Sequence, residues 1–408
     1  MTEGNMSKLE KLIQQYCPDG VEWKALYSIT KQFSGMTGVS NKWAEEGNCV
    51  FIDYNNVYNH TSVDTTALKK ATVKSLKQNT LKKGDILFTS ASETPDECAL
   101  SSVIEKDVPD GVFLDDHLFG LRLLDEYSSV ISPSYLKYAF RSEQFRFQIK
   151  KVVRGATRHY VSKVDFMKLE IPVPPLPVQK EIVRILDAFT ELQTELQTEL
   201  QKRKQQYNYY LDNLLNFKNI NRGGQEIKWM RMSEIGNNLD KKRKPITAGK
   251  REPGQIPYYG ASGIVDYVKD YLFDGDYLLV SEDGANLLTR TYPIAFSIHG
   301  KTWVNNHAHV IEFKERATRK YVEYYLNSID LSPWISAGAQ PKLTQDSLNK
   351  LTIPVPPLAE QQRIVFILDR FDTLTNDLTA GLPAEMEKRR QQYEFYRDKL
   401  LTFKRKEA

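Results

Sequence analysis

One six-residue string occurs twice in the chain: residues 171–176 read IPVPPL, and so do residues 353–358. The copies stand 182 residues apart. A second pair comes after it, KRKQQY at 202–207 and KRRQQY at 388–393, now 186 residues apart, so the later copy is longer by four residues, about one helical turn. Both copies close alike, Leu214-Leu215-Asn216-Phe217-Lys218 against Leu400-Leu401-Thr402-Phe403-Lys404. Weaker echoes keep the same order upstream: VEWKAL (21–26) and IKWMRM (227–232), GDILFTS (84–90) and GDYLLVS (275–281), DDHLF (115–119) and NNHAH (305–309). A repeat of this length argues for two related units and against one large core. Between the echoes the halves hardly resemble each other, so each half is a variable region followed by a repeated block.

The repeated block has a readable local structure. Pro172, Pro174 and Pro175 lack amide donors and hold their predecessors extended, so IPVPPL is a stiff lead-in to a helix. After Pro177, apolar residues recur at steps of three and four through Val178, Ile182, Ile185, Phe189, Leu192, Leu196, Leu200, Tyr207, Tyr210, Leu214 and Phe217. No glycine or proline interrupts 178–218, which predicts a helix of about 40 residues spanning about 60 Å. The second seam runs through Ile364, Ile367, Phe371, Leu374, Leu378, Met386, Tyr393, Tyr396, Leu400 and Phe403, with Gly381-Leu382-Pro383 predicting a break or kink. Two such seams in one chain satisfy each other by packing antiparallel.

The variable regions mix short β-like runs (Gly84 to Thr89, Gly275 to Val280, Val310 to Phe313) with helical patterns (Tyr135 to Phe147, Arg319 to Asn327). The expected fold is therefore α+β, with two α/β domains joined by two long antiparallel helices in a coiled-coil spacer and related by a pseudo-two-fold duplication. Expected boundaries are an N-terminal helical segment at 1–20, a first domain at 21–170, a central helical block at 171–220, a second domain at 221–352 and a C-terminal helical block at 353–408.

Composition narrows the class. Of 408 residues 41% are hydrophobic and 26% charged, as in folded soluble proteins. Cys17, Cys49 and Cys98 are few and scattered, so they read as thiols of a reducing cytoplasm and form neither a disulfide framework nor a C-x-x-C metal site. No run approaches the roughly 18 apolar residues of a membrane span, and none at the start resembles a secretion signal. A net charge of +4 is mild, but basic residues cluster at Lys69-Lys70, Lys82-Lys83, Lys150-Lys151 with Arg154 and Arg158, and Lys241 to Lys244 with Lys250 and Arg251. Such clusters suit a phosphate backbone and equally suit a solvated loop.

Catalytic signatures are missing. Both Pro-Pro pairs sit in VPPL, not in the [DN]-P-P-[YFW] motif of base methylation, and the one Gly-Lys-Thr, at 300–302, has Ala295 where a phosphate loop needs its first glycine. Pro18-Asp19 with Glu22 and Lys24 is too compressed for a nuclease centre and reads better as a turn around Gly20. His307 and His309, with His299 nearby, form an H-x-H that reads as hydrogen-bonding histidines, since no cysteine or carboxylate is spaced to complete a metal site.

IPVPPL followed by Gln179-Lys180-Glu181-Ile182-Val183-Arg184-Ile185-Leu186-Asp187, and its second copy followed by Ala359-Glu360-Gln361-Gln362-Arg363-Ile364-Val365, resembles the specificity subunit of type I restriction-modification systems. The resemblance covers essentially the whole chain and is most specific in 161–218 and 343–404. It implies that each variable region is a target recognition domain reading one half of a bipartite site in double-stranded DNA, and that the repeated blocks form the spacer. It also implies two methylation subunits carrying S-adenosylmethionine, two restriction subunits using ATP and magnesium, and no cofactor on this chain. Pro257-Tyr258-Tyr259-Gly260-Ala261-Ser262-Gly263-Ile264 is similar to one recurring type of recognition domain, while the first region has Phe51-Ile52-Asp53-Tyr54-Asn55-Asn56 at the matching place, so different base preferences follow.

Related surfaces of a duplicated fold dock on DNA alike. The expected DNA contacts are Tyr54, Asn55, Asn56, Arg154, Thr157, Arg158, His159 and Lys163 in the first half, and Tyr258, Tyr259, Ser262, Arg290, Gln340 and Lys342 in the second. The expected spacer and interface residues are Ile182, Ile185, Phe189, Leu192, Leu196, Leu200, Tyr207, Ile364, Phe371, Leu374 and Tyr393. TELQ occurs three times in succession over 190–201, mid-spacer, where added length changes only the domain separation. Two other readings stay open on sequence alone: a protein-binding scaffold, which leaves the basic clusters unexplained, and a self-contained enzyme, which lacks its motifs.

Overall fold

The computed structural model describes residues 6–217, 227–336 and 340–407, so Lys218 and the expected domain boundary at 220 lie outside the described residues. The chain forms two compact units, one of residues 1–195 with 386–408, the other of residues 196–385. Among the described residues no helix is long and apolar enough to cross a membrane.

The first unit opens with the helix Lys8–Tyr16, whose start is fixed by a capping box between Ser7 and Glu10. Its central sheet has four strands in the order Thr30–Ser34, Leu118–Leu123, Ile86–Thr89, Ser101–Val103, all antiparallel. Ile86 to Thr89 is buried on both faces because helix Pro133–Ala139 and the start of the long helix cover one side and a second sheet the other. Phe88, Phe119, Phe140, Phe145 and Phe166 interlock there, mostly edge to face, with ring centroids 4.8–6.2 Å apart. In the second sheet Cys49–Ile52 runs parallel to Val112–Leu114.

The second unit repeats that framework with different outer parts. Its sheet runs Asn237–Asn238, Ala308–Glu312, Phe273–Ser281, Ala295–Val304, the same order as in the first unit, and extends through Pro253–Gly260 to Gly263–Val268. Pro253–Gly260 meets Ala295–Val304 in parallel, Tyr259 opposite Val304, as Ile52 lies opposite Leu114 in the first unit. Asn305 N–H donates to the Tyr259 carbonyl at 3.1 Å and Asp115 N–H to the Ile52 carbonyl at 3.0 Å. Beyond these strands the two units diverge: Asp53 caps the helix Tyr54–Asn59, whereas Gly260 leads into a tight hairpin turn.

The proline strings do the same work in each unit. Glu170–Pro172 pairs antiparallel with Trp23–Ala25, and Thr352–Val355 with Lys228–Arg231, which sets Trp23 opposite Pro172 and Trp229 opposite Pro354. These are two-stranded ribbons, where proline costs no ladder bond. The prolines' carbonyls are put to use: Tyr135 donates to Pro172 at 3.0 Å and Tyr321 to Pro354 at 2.5 Å, while Gln179 donates to Pro174 at 2.6 Å and Gln361 to Pro356 at 2.7 Å.

The expected long helix is Leu176–Leu215, 40 residues. Within the first unit Val178, Ile182 and Leu186 are buried and Ile185 is half-buried; Phe189 stacks on Tyr396 at 5.3 Å, and Tyr393, Leu400, Leu401 and Phe403 join the same core. Leu192 and Leu196 are half-buried. Within the second unit Leu200, Leu214 and Leu215 are buried, and Tyr207 and Tyr210 meet Phe371 at 6.4 and 5.2 Å. The second helical block is not one long helix but two, Leu358–Asn376 and Leu382–Leu401. The chain turns at Asp377, whose carboxylate accepts from Thr379 and Ala380, and any Cβ at Gly381 would stand 2.2 Å from the Thr373 carbonyl. In the first of them Ile364 and Leu368 are buried, Phe371 and Leu374 are in the seam's middle at half-burial or less, and Leu378, expected on the seam, lies at the turn and is 80% exposed.

Candidate nucleic-acid interface

A short hairpin stands at the same place in both units. In the first, Val153–Arg154 pairs with His159–Val161, and this strand pairs on with Ala91–Ser92. In the second, Ser336 pairs with Lys342, and Lys342 with Asp283. Ser90 N–H donates to the His117 carbonyl at 3.1 Å, as Glu282 N–H does to that of His307 at 2.9 Å, so Ala91 corresponds to Asp283 and Tyr160 to Lys342. The adjoining residues agree: Ser162 caps Lys163–Phe166 and Thr344 caps Gln345–Lys350. Arg154, Thr157, Arg158 and His159 therefore lie on the counterpart of the hairpin that bears Gln340 and Lys342. Of that second hairpin, residues 337–339 lie outside the described residues.

On the first hairpin Arg154, Thr157 and Arg158 are exposed and His159 half-buried. Gly155 has φ +93°, and a Cβ there would lie 2.1 Å from the Arg158 carbonyl, so only glycine closes this turn. Arg154 reaches Asp165 at 3.5 Å, while Lys163 lies 3.3 Å from the Ser34 hydroxyl. Thr157 and Arg158 line a cleft of about 630 Å³ together with Tyr54, Tyr58, Glu93 and Glu97. Tyr54 stacks on Tyr58 at 5.8 Å and donates to the Ala91 carbonyl at 3.0 Å. Glu97 accepts from the hydroxyls of Tyr58, Ser92 and Thr94, which hold its carboxyl below the usual range, Tyr58 foremost. Asn55, the residue after Tyr54, is exposed.

Three expected contact residues are structural instead. Asn56 is 4% exposed and pins the following loop, donating to the Asp64 carbonyl at 2.9 Å and accepting from the Asp64 amide at 3.0 Å. Tyr258 is 1% exposed, its hydroxyl within 3.0 Å of the Ile246 amide and its ring under the Arg251 guanidinium. Strand alternation turns that ring inward and leaves Tyr259 half-buried against Phe296. Arg290 donates to the carbonyls of Ile329 at 2.9 Å and Leu326 at 3.4 Å, capping the end of helix Arg316–Ser328. Ser262, in the hairpin turn, is exposed, Gln340 is exposed, and Lys342 keeps 47% of its side chain exposed while pairing with Glu282 at 3.0 Å.

Some basic clusters are likewise tied up. Arg243 bridges Asp240 and Glu282 at 3.2 and 2.6 Å, and Lys150 pairs with Asp96 at 2.7 Å, whereas Lys241 and Lys242 are exposed. The H-x-H histidines take separate carboxylates, His307 with Asp283 at 2.9 Å and buried His309 with Asp240 at 2.6 Å. Sequence spacing missed the distant Asp240 and Glu282, which the fold brings to His309. Those carboxylates already bear Arg243 and Lys342. Tyr160, 51% exposed at the position of Lys342, is a surface residue that sequence reasoning did not single out; the signal for it is the match of Val161-Ser162 to Leu343-Thr344.

The sequence model of the type I restriction modification DNA specificity domain matches residues 18–205 and again 225–388. The specificity subunit of the type I restriction enzyme EcoprrI of Escherichia coli is 30% identical over 394 residues, 92% of either chain. That of EcoR124I/EcoR124II, also of Escherichia coli, is 36% identical over 62% of this chain and 67% of its own. A Haemophilus influenzae chain described as a type I restriction enzyme specificity subunit is 40% identical over 44% of this chain, and the match spans 47% of that relative. Among solved structures, the type I S subunit from M. genitalium aligns with a TM-score of 0.55 at 18% identity over 94% of this chain and 96% of its own. A chain from a structure concerned with assembly of the type I system aligns with a TM-score of 0.61 at 15% identity over 94% and 97%. These two carry the fold. With the domain model matched twice in one chain, and a relative 30% identical over 92% of either chain, this chain belongs to the type I restriction-modification DNA specificity family.

Proposed function

We propose that this chain is the non-catalytic DNA-recognition subunit of a type I restriction-modification complex, each unit reading one half of a bipartite site in double-stranded DNA. The observation that carries the reading is the matched pairing of Arg154 with Tyr160 and of Ser336 with Lys342, at the same place on the same four-stranded order in both units and flanked by exposed cationic or amide side chains. Arg154, Arg158 and Lys342 suit phosphates; Gln340, Asn55 and Ser262 suit base edges. Two hairpins of one design and different content read different bases.

The helical blocks act as a coiled-coil spacer that sets the gap between half-sites and offers docking surface to two methylation subunits. Support comes from the ring contacts of Phe189 with Tyr396 and of Tyr207 and Tyr210 with Phe371, each inside its own unit. S-adenosylmethionine belongs on the methylation subunits, and ATP with magnesium on two restriction subunits that cleave and translocate in the cytoplasm. The domain limits proposed for this work are 21–170 and 221–352 for recognition, 171–220 and 353–408 for the spacer, and 1–20 as a helical lead.

The test is footprinting of the chain assembled with its methylation partner on random-sequence DNA, with and without S-adenosylmethionine. Two protected tracts at a fixed separation support the reading. One tract, or none, contradicts it.

A further inference from the structure

Behind the second hairpin lies a buried histidine with an oxygen at hydrogen-bond distance from each of its ring nitrogens. His309 is fully buried. Its Nδ1 stands 2.6 Å from an Asp240 carboxylate oxygen and its Nε2 stands 2.8 Å from the Leu343 carbonyl oxygen. A carbonyl only accepts, and so does an ionised carboxylate. Both Asp240 oxygens already accept from fixed donors, one from the Val310 N–H at 2.9 Å and the other from Arg243 and from the Asn238 amide, each at 3.2 Å, so the group sits there as an acceptor. A neutral imidazole has one N–H and would set a bare lone pair against one of these oxygens in a buried site, a costly arrangement. Two acceptors at hydrogen-bond distance need two N–H donors.

We propose that His309 is a positioning residue, an imidazolium that fastens residues 340–344 of the second hairpin to the sheet and so holds Gln340 and Lys342 for DNA. The inference rests on the reading of that hairpin as a DNA contact. Leu343 is held at both backbone groups, its carbonyl by His309 and its N–H by the Glu282 carbonyl at 2.8 Å. Among the described residues, the charged groups around the ring are Asp240 and Arg243 from the turn Asp240–Lys242 and its cap, Glu282 at 3.7 Å from the strand end, and Lys342, paired to Glu282. The ring therefore joins three segments far apart in sequence.

The first unit supplies a built-in control. Phe119 lies opposite Phe88 as His309 lies opposite Val280, and Phe119 stacks into the phenylalanine cluster at 5.3 Å from Phe88. An apolar contact stands there in place of the charged tie, so loss of the tie touches only the second half-site.

Two measurements decide. In the full chain labelled with ¹⁵N-histidine, with His309→Gln used to assign the signal, both ring nitrogens of His309 carry protons at neutral pH; a single-proton tautomer overturns the proposal. His309→Gln keeps a donor for Asp240 and offers none to Leu343. Assembled with the methylation partner, it lowers affinity for the second protected tract by about tenfold or more and leaves the first tract unchanged, a loss on the scale of a hydrogen bond to a charged group. Unchanged affinity at the second tract overturns the proposal if Gln340→Ala with Lys342→Ala still weakens that tract. If that double substitution also does nothing, the hairpin reading itself fails and takes this inference with it. Should His309→Gln not fold, the ring protonation in the unaltered chain still decides, with its signal assigned as the histidine that responds to Asp240→Asn.

Discussion

The phenol of Tyr324 donates a 2.7 Å hydrogen bond to the carboxylate of Asp369, joining helix Arg316–Ser328 to the helix that follows the second proline string. Tyr138 makes the same bond to Asp187 at 2.5 Å in the first unit. Burial first, then the bond to Asp369, pushes the Tyr324 phenol well above the usual tyrosine range. Because this pKa is raised on folding, its stabilisation is complete below the unfolded value of about 10 and is lost as pH rises beyond it toward the folded value. Tyr324→Phe should cost about 1.5 kcal/mol, the lower end for a bond to a charged group, since Asp369 retains partial solvent access. Urea unfolding of the full chain measures it; Tyr138→Phe should cost about as much, and neither should alter the bases selected.

Part of this was legible from sequence and part was not, for physical reasons. Proline leaves few backbone options, so the strings at 171–176 and 353–358 announced both the extended lead-ins and the helices after them. The tyrosine and glutamine partners that satisfy those strings come from far away in the chain or from inside the helix, and nothing in local periodicity marks them. GDILFTS and GDYLLVS align by letters with Ser90 on Ser281, yet strand pairing sets Thr89 at the place of Ser281 and Ser90 at that of Glu282. A slip of one residue exchanges the faces of a strand. The same loss of facing information led to Asn56 and Tyr258, polar residues in promising strings whose side chains turn inward. Arg290 looked like a free cation because the carbonyls it caps lie more than thirty residues further on.

Asn56→Ala and Tyr258→Phe should act on stability and not on recognition. The first leaves the Asp64 amide and carbonyl without their partner and should cost about 1–3 kcal/mol; the second loses the hydroxyl that accepts from the Ile246 N–H and donates to the Ile246 carbonyl, about 1–2 kcal/mol. Thermal unfolding reads the loss, and selected DNA sequences from binding and sequencing should match those of the unaltered chain. A changed base preference with unchanged melting would restore both as contact residues.

Arg154→Ala with Arg158→Ala should weaken DNA binding at every sequence and flatten its dependence on salt by up to about two phosphate contacts. Both side chains are exposed on one hairpin, so the fold should persist. Affinity measured from low to physiological salt gives the slope. An unchanged slope would remove this hairpin from the phosphate contacts.

Leu192→Glu with Leu196→Glu should lower the melting temperature and weaken assembly with the methylation partner, because both leucines are half-buried mid-helix where a carboxylate must be hydrated. Calorimetry and size-exclusion of the assembled complex test this. Unchanged values in both would contradict the spacer's packing.

The most direct measurement concerns the TELQ repeats at 190–201, which lie inside the uninterrupted helix Leu176–Leu215. Removing one unit shortens the helix by about 6 Å and turns it by about 40°. DNA rises about 3.4 Å and turns about 34° per base pair, so the rise matches nearly two base pairs and the rotation little more than one. Slight DNA bending or twisting absorbs the difference. Methylated sites mapped genome-wide for the three-unit and two-unit forms should show the same two half-sites separated by a gap one or two base pairs shorter. An altered half-site, or an unaltered gap in an active complex, would contradict the account of two reading units set apart by a helical spacer.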